Sequence, residues 1–193
     1  MPIERGQDWG RHGTLPTGTR SVANDADLAR LVEAGASHAR LRGGDLARTL
    51  GVTESSLARE AGTLLPIDVI SVSLDDRTTL AAAHVLLGTR GRLRVAIMNA
   101  AFEGRRNMAP RAHPGDGRLD VVAFDLSPVD WFKARRRMPS GGHVDHPGVT
   151  TRQRSDWTIE SPHPLAVTID GVGQGKATRI RCRVVPEAIV VGV

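Results

Sequence analysis

Seven short segments after Pro66 alternate apolar and polar residues with a period of two, and no other feature constrains the fold as strongly. Such alternation predicts β-strands that bury one face. Gly, Pro, Asn or Asp separates many of the segments, which favours an antiparallel two-layer β-sandwich or open barrel over a doubly wound nucleotide fold. The segments are residues 67–73, 92–98, 119–124, 150–159, 165–169, 179–184 and 188–191.

The preceding part of the chain predicts a small α/β unit over residues 1–51, followed by a mainly β domain over residues 52–193. Residues 1–18 have little periodicity and predict an irregular arm. Capping residues and helix-ending glycines mark the elements that follow. These are a helix over 26–34 behind Asn24 or Asp25, a strand over 38–41, and a helix capped by Asp45 and ended by Gly51.

Length and charge limit the classes of function. A chain of 193 residues can form one well-cored domain with a small appendage, and three domains are excluded. The net charge of +5 favours anionic partners such as phosphates or lipid head groups. The aromatic residues do not alternate with arginine as a stacking platform requires, so we expect no nucleic-acid partner.

The single cysteine and the absence of a long apolar segment predict a cytoplasmic protein. Cys182 lies on the apolar face of the alternating segment 179–184, which predicts a core residue. One cysteine provides no disulfide framework or zinc site within one chain. The N-terminus lacks the apolar core of a signal peptide.

A loop dense in Pro and Gly lies within residues 99–122 and carries one acidic residue, Asp116, just before a predicted strand. A backbone held tightly around one carboxylate suits a hard cation. The alternative is that Asp116 and Gly117 form only a hairpin turn, since this dipeptide is a strong turn signal.

In order and spacing, residues 99–122 resemble the metal loop of the diacylglycerol kinase and sphingosine kinase family of lipid kinases. That loop runs from an Asn-Gly-rich strand end through Ala-Pro-x-Ala to Asp-Gly-x-Leu-Asp. The resemblance extends over about residues 41–193 and implies the β-rich accessory domain of such a kinase, preceded by a remnant of its nucleotide-binding domain. The other matching segments are residues 44–51, 66–68, 142–149, 169–171 and 185–190.

The resemblance implies a structural Mg²⁺ held by the carboxylate of Asp116 and the backbone carbonyls of His113 and Arg118. Mg²⁺ takes oxygen ligands and retains several waters, so such a set is chemically sufficient.

The resemblance also implies that the catalytic parts are incomplete. Where the family places a glutamate as general base, this chain has Val172, which cannot accept a proton; loss of a positioned base lowers a rate by about 10²–10⁴-fold. The family's phosphate loop has no match, so ATP binding is doubtful. Asp45 and Asp170 are weak candidates for a substitute carboxylate, and Asp170 is better suited to stabilising its turn.

We therefore expect a catalytically impaired, diacylglycerol kinase-like protein that binds a lipid or phosphorylated ligand, or supports a kinase partner. One alternative is an active, reduced lipid kinase that transfers phosphate from ATP to a lipid hydroxyl. Its nucleotide site would be completed by another subunit, as in a homo-oligomer. A second alternative is a basic structural or interaction module without a ligand.

A third predicted helix, residues 128–137 behind Ser127, ends in Arg135, Arg136 and Arg137. These arginines suit either a solvated face or peripheral contact with anionic lipid at a membrane. The segment after this helix carries His143 and His146 without a third convincing ligand, which predicts an exposed loop.

Overall fold

The computed structural model describes residues 9–53, 61–89 and 92–193. Its helices are α1 (Asp25–Glu33), α2 (Asp45–Thr49) and α3 (Pro128–Arg137), and a 3₁₀ turn, Met138–Ser140, follows α3. The strands are β1 (Arg11–Thr14), β2 (Ser21–Val22), β3 (His38–Leu41), β4 (Ala61–Leu74), β5 (Arg77–Ala81), β6 (His84–Thr89), β7 (Arg92–Met98), β8 (Phe102–Glu103), β9 (Arg106–Asn107), β10 (Leu119–Phe124), β11 (Val149–Arg154), β12 (Asp156–Ile169) and β13 (Val172–Gly192).

Eleven strands form one open sheet, and β8 and β9 form a separate hairpin. The main path of the sheet runs β1-β4-β13-β12-β6-β7-β10-β11, and every neighbouring pair along it is antiparallel. Strand β5 also pairs with β4. The short strands β2 and β3 are parallel to each other, and β3 is parallel to the end of β13.

The sheet folds over one apolar core, to which both halves of the strand path contribute. Because side chains alternate across a strand, the predicted alternating segments other than 188–191 supply alternate residues to this core, whereas Ile189 and Val191 belong to a second cluster. Cys182 is fully buried in it, as the sequence predicts. Its buried members include Ile70 and Val72 of β4, Val85 and Leu87 of β6, Ile97 of β7, Leu119 and Val121 of β10, Val167 of β12 and Ile180 of β13. The predicted two-layer antiparallel sandwich is confirmed.

Strands β12 and β13 are longer than the sequence predicts. The predicted strand 150–159 is divided at Ser155: its first part lies in β11, and its second part joins 165–169 in β12. The predictions 179–184 and 188–191 meet in β13. Register shifts join the parts, one between Glu160 and Leu165 and one between Val185 and Ile189. In the second shift Glu187 has a positive φ of 48°. A β-bulge lets a strand continue past such a residue, so the turn-forming residues between the predicted segments do not end the strand.

Residues 9–53, the N-terminal unit, pack against the sheet through a second apolar cluster. Leu28 of α1 and Leu46 of α2 are fully buried there, together with Ile67 of β4 and Val191 of β13. Backbone pairing of β3 with residues 190–192 extends the same sheet into this unit. The predicted boundary at residues 51 and 52 remains a prediction, although pairing and packing cross it.

Two local predictions for the N-terminal unit are wrong. Residues 11–14 of the expected arm form β1, because they pair with residues 61–64 at the edge of β4. The second helix is not capped by Asp45: Gly44 occupies the N-cap with a φ of 99°, while the Asp45 carboxylate accepts a hydrogen bond from Gly104. For α1, Asn24 is the cap, and its side chain accepts from the Asp27 amide.

Helix α3 lies over a third apolar cluster on the outer face of β7 and β10. Its predicted bounds and its Ser127 cap are confirmed. Ala134 of α3 and Met138, which follows the helix, are buried in this cluster. Trp131 of α3 packs edge-on against Phe124, with 5.5 Å between the ring centroids. In the described ranges no helix is both long and apolar enough to cross a membrane.

Replacing Leu28 with alanine tests whether the N-terminal unit and the sandwich unfold together. Leu28→Ala leaves a cavity in the cluster that joins them, so we expect one cooperative transition destabilised by about 2–5 kcal/mol. Val129→Ala, at a side chain that is 64% exposed on α3, is the control and should change stability little. Urea unfolding followed by circular dichroism measures both. Two separate transitions, of which only one shifts, would show an independent N-terminal unit.

Candidate functional site

A group of polar residues lies where the N-terminal unit meets the sheet. Asp25 at the start of α1 is 5% exposed, and its two carboxylate oxygens accept from the backbone amides of Asp45 and Leu46 at 2.6 and 3.1 Å. A β-carbon on Gly44 would lie 2.6 Å from the nearer Asp25 oxygen, so only glycine fits. Asp25 thereby fixes the first turn of α2 and the position of Asp45.

Asp170 is held in the same region by three backbone amides. One carboxylate oxygen accepts from Ala82 at 2.7 Å, and the other accepts from Ala83 and His84 at 2.9 Å each. Burial raises the pKa of Asp170, while His84 and these amides oppose the rise. The carboxylate anchors the connection between β5 and β6. Val172, two residues further on, is 48% exposed.

His84 lies between these acidic groups and is almost fully buried. Its Nδ1 is 3.7 Å from a carboxylate oxygen of Asp45, which is beyond hydrogen-bond distance, and it has no hydrogen-bond partner among the described residues. The sequence analysis missed this histidine. Its position within the apolar run before β7 gave no indication of the surrounding carboxylates.

Among the described residues, a small cavity lies beside the position of the expected base. A space of about 140 Å³ lies next to Val172 and Asp170, between α1 and β5, and Asp45 and Asn99 do not line it. Asn99 is buried, and its amide donates to the backbone carbonyls of Asp68 and Ala82 at 2.8 Å each. Asn99 therefore ties β4 to the connection between β5 and β6. Asp45, Asp170 and Val172 lie in one region but do not surround one large cleft.

The loop that carries Asp116 is a hydrogen-bonded turn. The carbonyl of His113 accepts from the amides of Gly115 and Asp116 at 2.9 and 3.3 Å. One carboxylate oxygen of Asp116 accepts from the Arg118 amide at 3.0 Å. The side chain is half-buried, and burial raises its pKa.

Neighbouring residues fix this turn from two sides. The carboxylate oxygens of Asp68 accept from the amides of Gly117 and Glu187 at 2.8 and 2.9 Å. Trp9 covers the turn: its ring centroid is 4.2 Å from that of His113, and its indole N–H donates to the Pro66 carbonyl. Both carboxylate oxygens of Asp68, next to the turn, therefore already accept hydrogen bonds from backbone amides.

These contacts engage part of the donor set predicted for magnesium. The His113 carbonyl accepts from two backbone amides, and one Asp116 oxygen has no described hydrogen bond. In the part of the chain that the structure describes, no three His, Cys, Asp or Glu side chains form a group that could hold a metal ion. A Mg²⁺ ion at Asp116, His113 and Arg118 remains a prediction, and the hydrogen bonds favour the turn.

The exposed face of α3 combines apolar and basic side chains. Val129 and Phe132 are 64% and 58% exposed, which is unusual for large apolar residues in this structure. Arg136 lies over the Phe132 ring at 4.6 Å, and Arg135 and Arg137 are exposed beside it.

The prediction of an exposed histidine loop after α3 is wrong for His143. This residue is fully buried, its Nε2 lies 3.1 Å from the Met108 carbonyl, and its ring stacks on Phe124. Burial lowers the pKa of His143, which favours the neutral imidazole. The loop folds back over the third apolar cluster, and the Gly-rich local sequence does not reveal that tertiary contact.

The fold is an antiparallel β-sandwich joined to a small α/β unit, and comparisons with known proteins agree with it. Residues 66–193, more than half of the chain, match the family described as the YegS C-terminal NAD kinase beta sandwich-like domain. The chain belongs to this family. No curated protein matches it.

Solved structures support the same fold. A diacylglycerol kinase structure from Bacillus anthracis str. Sterne matches 79% of this chain and 66% of its own, with a TM-score of 0.54 and 15% identity. Two further structures from that organism match with TM-scores of 0.54 and 0.55, at 15% and 14% identity, over 79% of this chain and 69% of theirs. The chain thus spans about two thirds of the length of these structures.

The pH dependence of the free energy of unfolding should show that ionisation of the buried Asp25 carboxylate destabilises the folded protein. Burial raises its pKa from 3.8 to about 6, so the folded chain binds more protons than the unfolded chain between those values. Stability contributed by this group therefore falls as pH rises through that window. Relative to Asp25→Asn, the unmodified protein should lose on the order of 3 kcal/mol between pH 4 and pH 7.

Urea unfolding at intervals between pH 4 and 7 measures this difference. Asp75→Asn is the control, because hydrogen bonds from Arg179 and Thr178 lower the pKa of Asp75 below its ordinary value of 3.8. The contribution of Asp75 to stability therefore changes with pH only below 3.8. The difference in unfolding free energy between this variant and the unmodified protein should stay constant from about pH 4 to pH 7. A pH-independent difference for Asp25→Asn would contradict the expected burial of the charged carboxylate.

Proposed function

We propose that this protein is a diacylglycerol kinase-like protein that docks on anionic lipid surfaces through α3 and does not transfer phosphate by itself. The observation that carries the proposal is the exposed face of α3, where Val129 and Phe132 lie beside a cluster of basic side chains. Aromatic and arginine side chains together suit the interface between lipid tails and head groups.

The charge of α3 is concentrated at its C-terminal end. Lys133, Arg135, Arg136 and Arg137 follow one another within two turns, and Asp130 is the acidic residue in the first turn. Lys133 lies 3.5 Å from Asp130, so one positive charge is partly offset. Each basic residue close to an anionic membrane contributes about 1 kcal/mol to the binding free energy. Three arginines therefore bind such a membrane much more strongly than a single arginine does.

The second part of the proposal concerns catalysis. Val172 occupies the position at which the resemblance implies a general base, and valine carries no titratable group. Asp170 accepts three backbone hydrogen bonds, and freeing its carboxylate would expose three amides. Asp45 already accepts from Gly104. Asp170 is therefore held by the backbone, and neither aspartate stands at the position at which the resemblance implies the base.

Sedimentation with lipid vesicles tests the docking surface. We expect the protein to bind vesicles of phosphatidylglycerol and phosphatidylcholine, and to bind pure phosphatidylcholine weakly. Arg135→Gln combined with Arg137→Gln should lower the partition coefficient by about 25-fold at low salt, since each charge is worth about fivefold. Phe132→Ser should lower it by about tenfold or more, because the ring no longer enters the interface.

Arg179→Gln is the matched control, since it removes one exposed positive charge on β13 beyond the helix. It should leave vesicle binding within about twofold of the unmodified protein. Equal loss in this control would indicate that net charge alone drives binding. Unchanged binding in the α3 variants would reject α3 as the docking surface.

An activity assay tests the catalytic part separately. The purified chain, incubated with Mg²⁺, labelled ATP and vesicles that contain diacylglycerol or sphingosine, should give no labelled lipid above the rate without protein. Val172→Glu, which places a carboxylate at the expected base position, is assayed in parallel. Turnover by the unmodified chain, together with tight ATP binding by an oligomer, would instead support a kinase completed by another subunit.

A further inference from the structure

A cavity outside the junction lies at the edge of the sheet between β10, β11 and two loops. Its volume is about 380 Å³, which is within the range of sites for small organic molecules. One loop contributes Arg111, and the loop that follows the 3₁₀ turn contributes Asp145. Neither the junction nor the docking surface of α3 uses these residues.

The floor of the cavity is polar because of the register between β10 and β11. Asp120 pairs with Gln153 and Val122 pairs with Thr151. Directly opposed residues in an antiparallel pair point to the same face, so these four side chains share the floor. Asp120 is 7% exposed, whereas an aspartate in a sheet is ordinarily exposed unless paired.

The carboxylate of Asp120 has few partners for a group so deeply buried. Both of its oxygens accept from the same nitrogen, the Gln153 side-chain amide, at 3.3 and 3.2 Å. Within the described ranges no ion pair of this carboxylate is found, although Arg111 and Arg118 influence it from further away. A carboxylate has about four acceptor positions, so most of them remain open to a donor in the cavity.

Gln153 adds to this acceptor surface. Because its amide nitrogen donates to Asp120, its carbonyl oxygen is left to accept from a ligand. Thr151 contributes a hydroxyl on the same floor. The floor is therefore suited to a molecule with several hydroxyl groups, each of which donates one hydrogen bond.

Positive charge lines other parts of the cavity. Arg111 is exposed at the cavity wall and has no ion pair in the part of the chain that is described. Arg152 also borders the cavity, but it pairs with Val121 and therefore projects its side chain to the opposite face of the sheet from the floor. The carboxylate of Asp145, on the loop that follows the 3₁₀ turn, repels an anion placed next to it. Guanidinium groups bind phosphate through paired hydrogen bonds, so an anionic group is favoured on the arginine side.

We propose that this cavity binds a small polyol phosphate, whose hydroxyls donate to Asp120 and Gln153 and whose phosphate contacts Arg111. The same chemistry occurs in free polyol phosphates and in the head groups of glycerol- or inositol-containing phospholipids. This site is independent of docking through α3, since no residue of that helix lines the cavity.

Calorimetric titration with glycerol 3-phosphate and with myo-inositol 1-phosphate tests the site. At least one of them should bind at least tenfold more tightly than inorganic phosphate and than glycerol. A water-soluble short-chain phosphatidylglycerol and phosphatidylinositol, titrated below their micelle concentrations, distinguish the source. Tighter binding of the lipid forms assigns the site to a head group, and tighter binding of the free forms assigns it to a metabolite.

Two variants separate the polar floor from the arginine wall. Asp120→Asn should lower affinity for the polyol phosphate at least tenfold and leave the weak binding of inorganic phosphate unchanged. Arg111→Gln, at an exposed side chain, should weaken both ligands and does not threaten the fold. Asp125→Asn, at an exposed residue just beyond β10, is the control and should change neither.

Three results would overturn the proposal. The first is no binding of either polyol phosphate at millimolar concentration by the folded protein. The second is binding no tighter than that of inorganic phosphate, which would indicate an adventitious anion site. The third is tighter binding of phosphoethanolamine, which would assign the Asp120 floor to an ammonium group. A melting curve of each variant confirms that it is folded.

Discussion

The pairing of β4 with β13 is the interaction on which the rest of the structure depends. These strands run side by side from Leu74 opposite Ile180 to Leu64 opposite Gly192, and their inward side chains fill the main core. Strand β12 pairs with one end of β13, and β3 is parallel to the other. One pair of strands therefore joins the sandwich to the N-terminal unit and positions the junction between them.

The junction shows how backbone amides can occupy carboxylates that a catalytic site would need free. Asp25, Asp68 and Asp170 each accept from two or three amides that belong to distant parts of the chain. These bonds compensate part of the cost of burial and fix loops that carry few apolar residues. In this chain the buried acids near the expected active site stabilise the architecture.

Local signals in the sequence predict local features well. Helix α3 is predicted to the residue, because Ser127 and Pro128 mark its start within the segment itself. The strands over 92–98 and 119–124 are also predicted to the residue from alternation alone. The merging of β12 and of β13, the pairing of β1 and the burial of His143 depend on partners far away in the chain. The surroundings of His84 and Asp120 follow from sheet register, which alternation does not specify.

The parallel pairing of β3 with residues 190–192 has a consequence for biosynthesis. The N-terminal unit is translated well before residues 190–192, which complete its edge by pairing with β3. Contacts between such distant segments form late and slow the search for the native state. Until the end of β13 is translated, the apolar cluster beneath α1 and α2 lacks Ile189 and Val191, although Ile67 and Ala100 are already present.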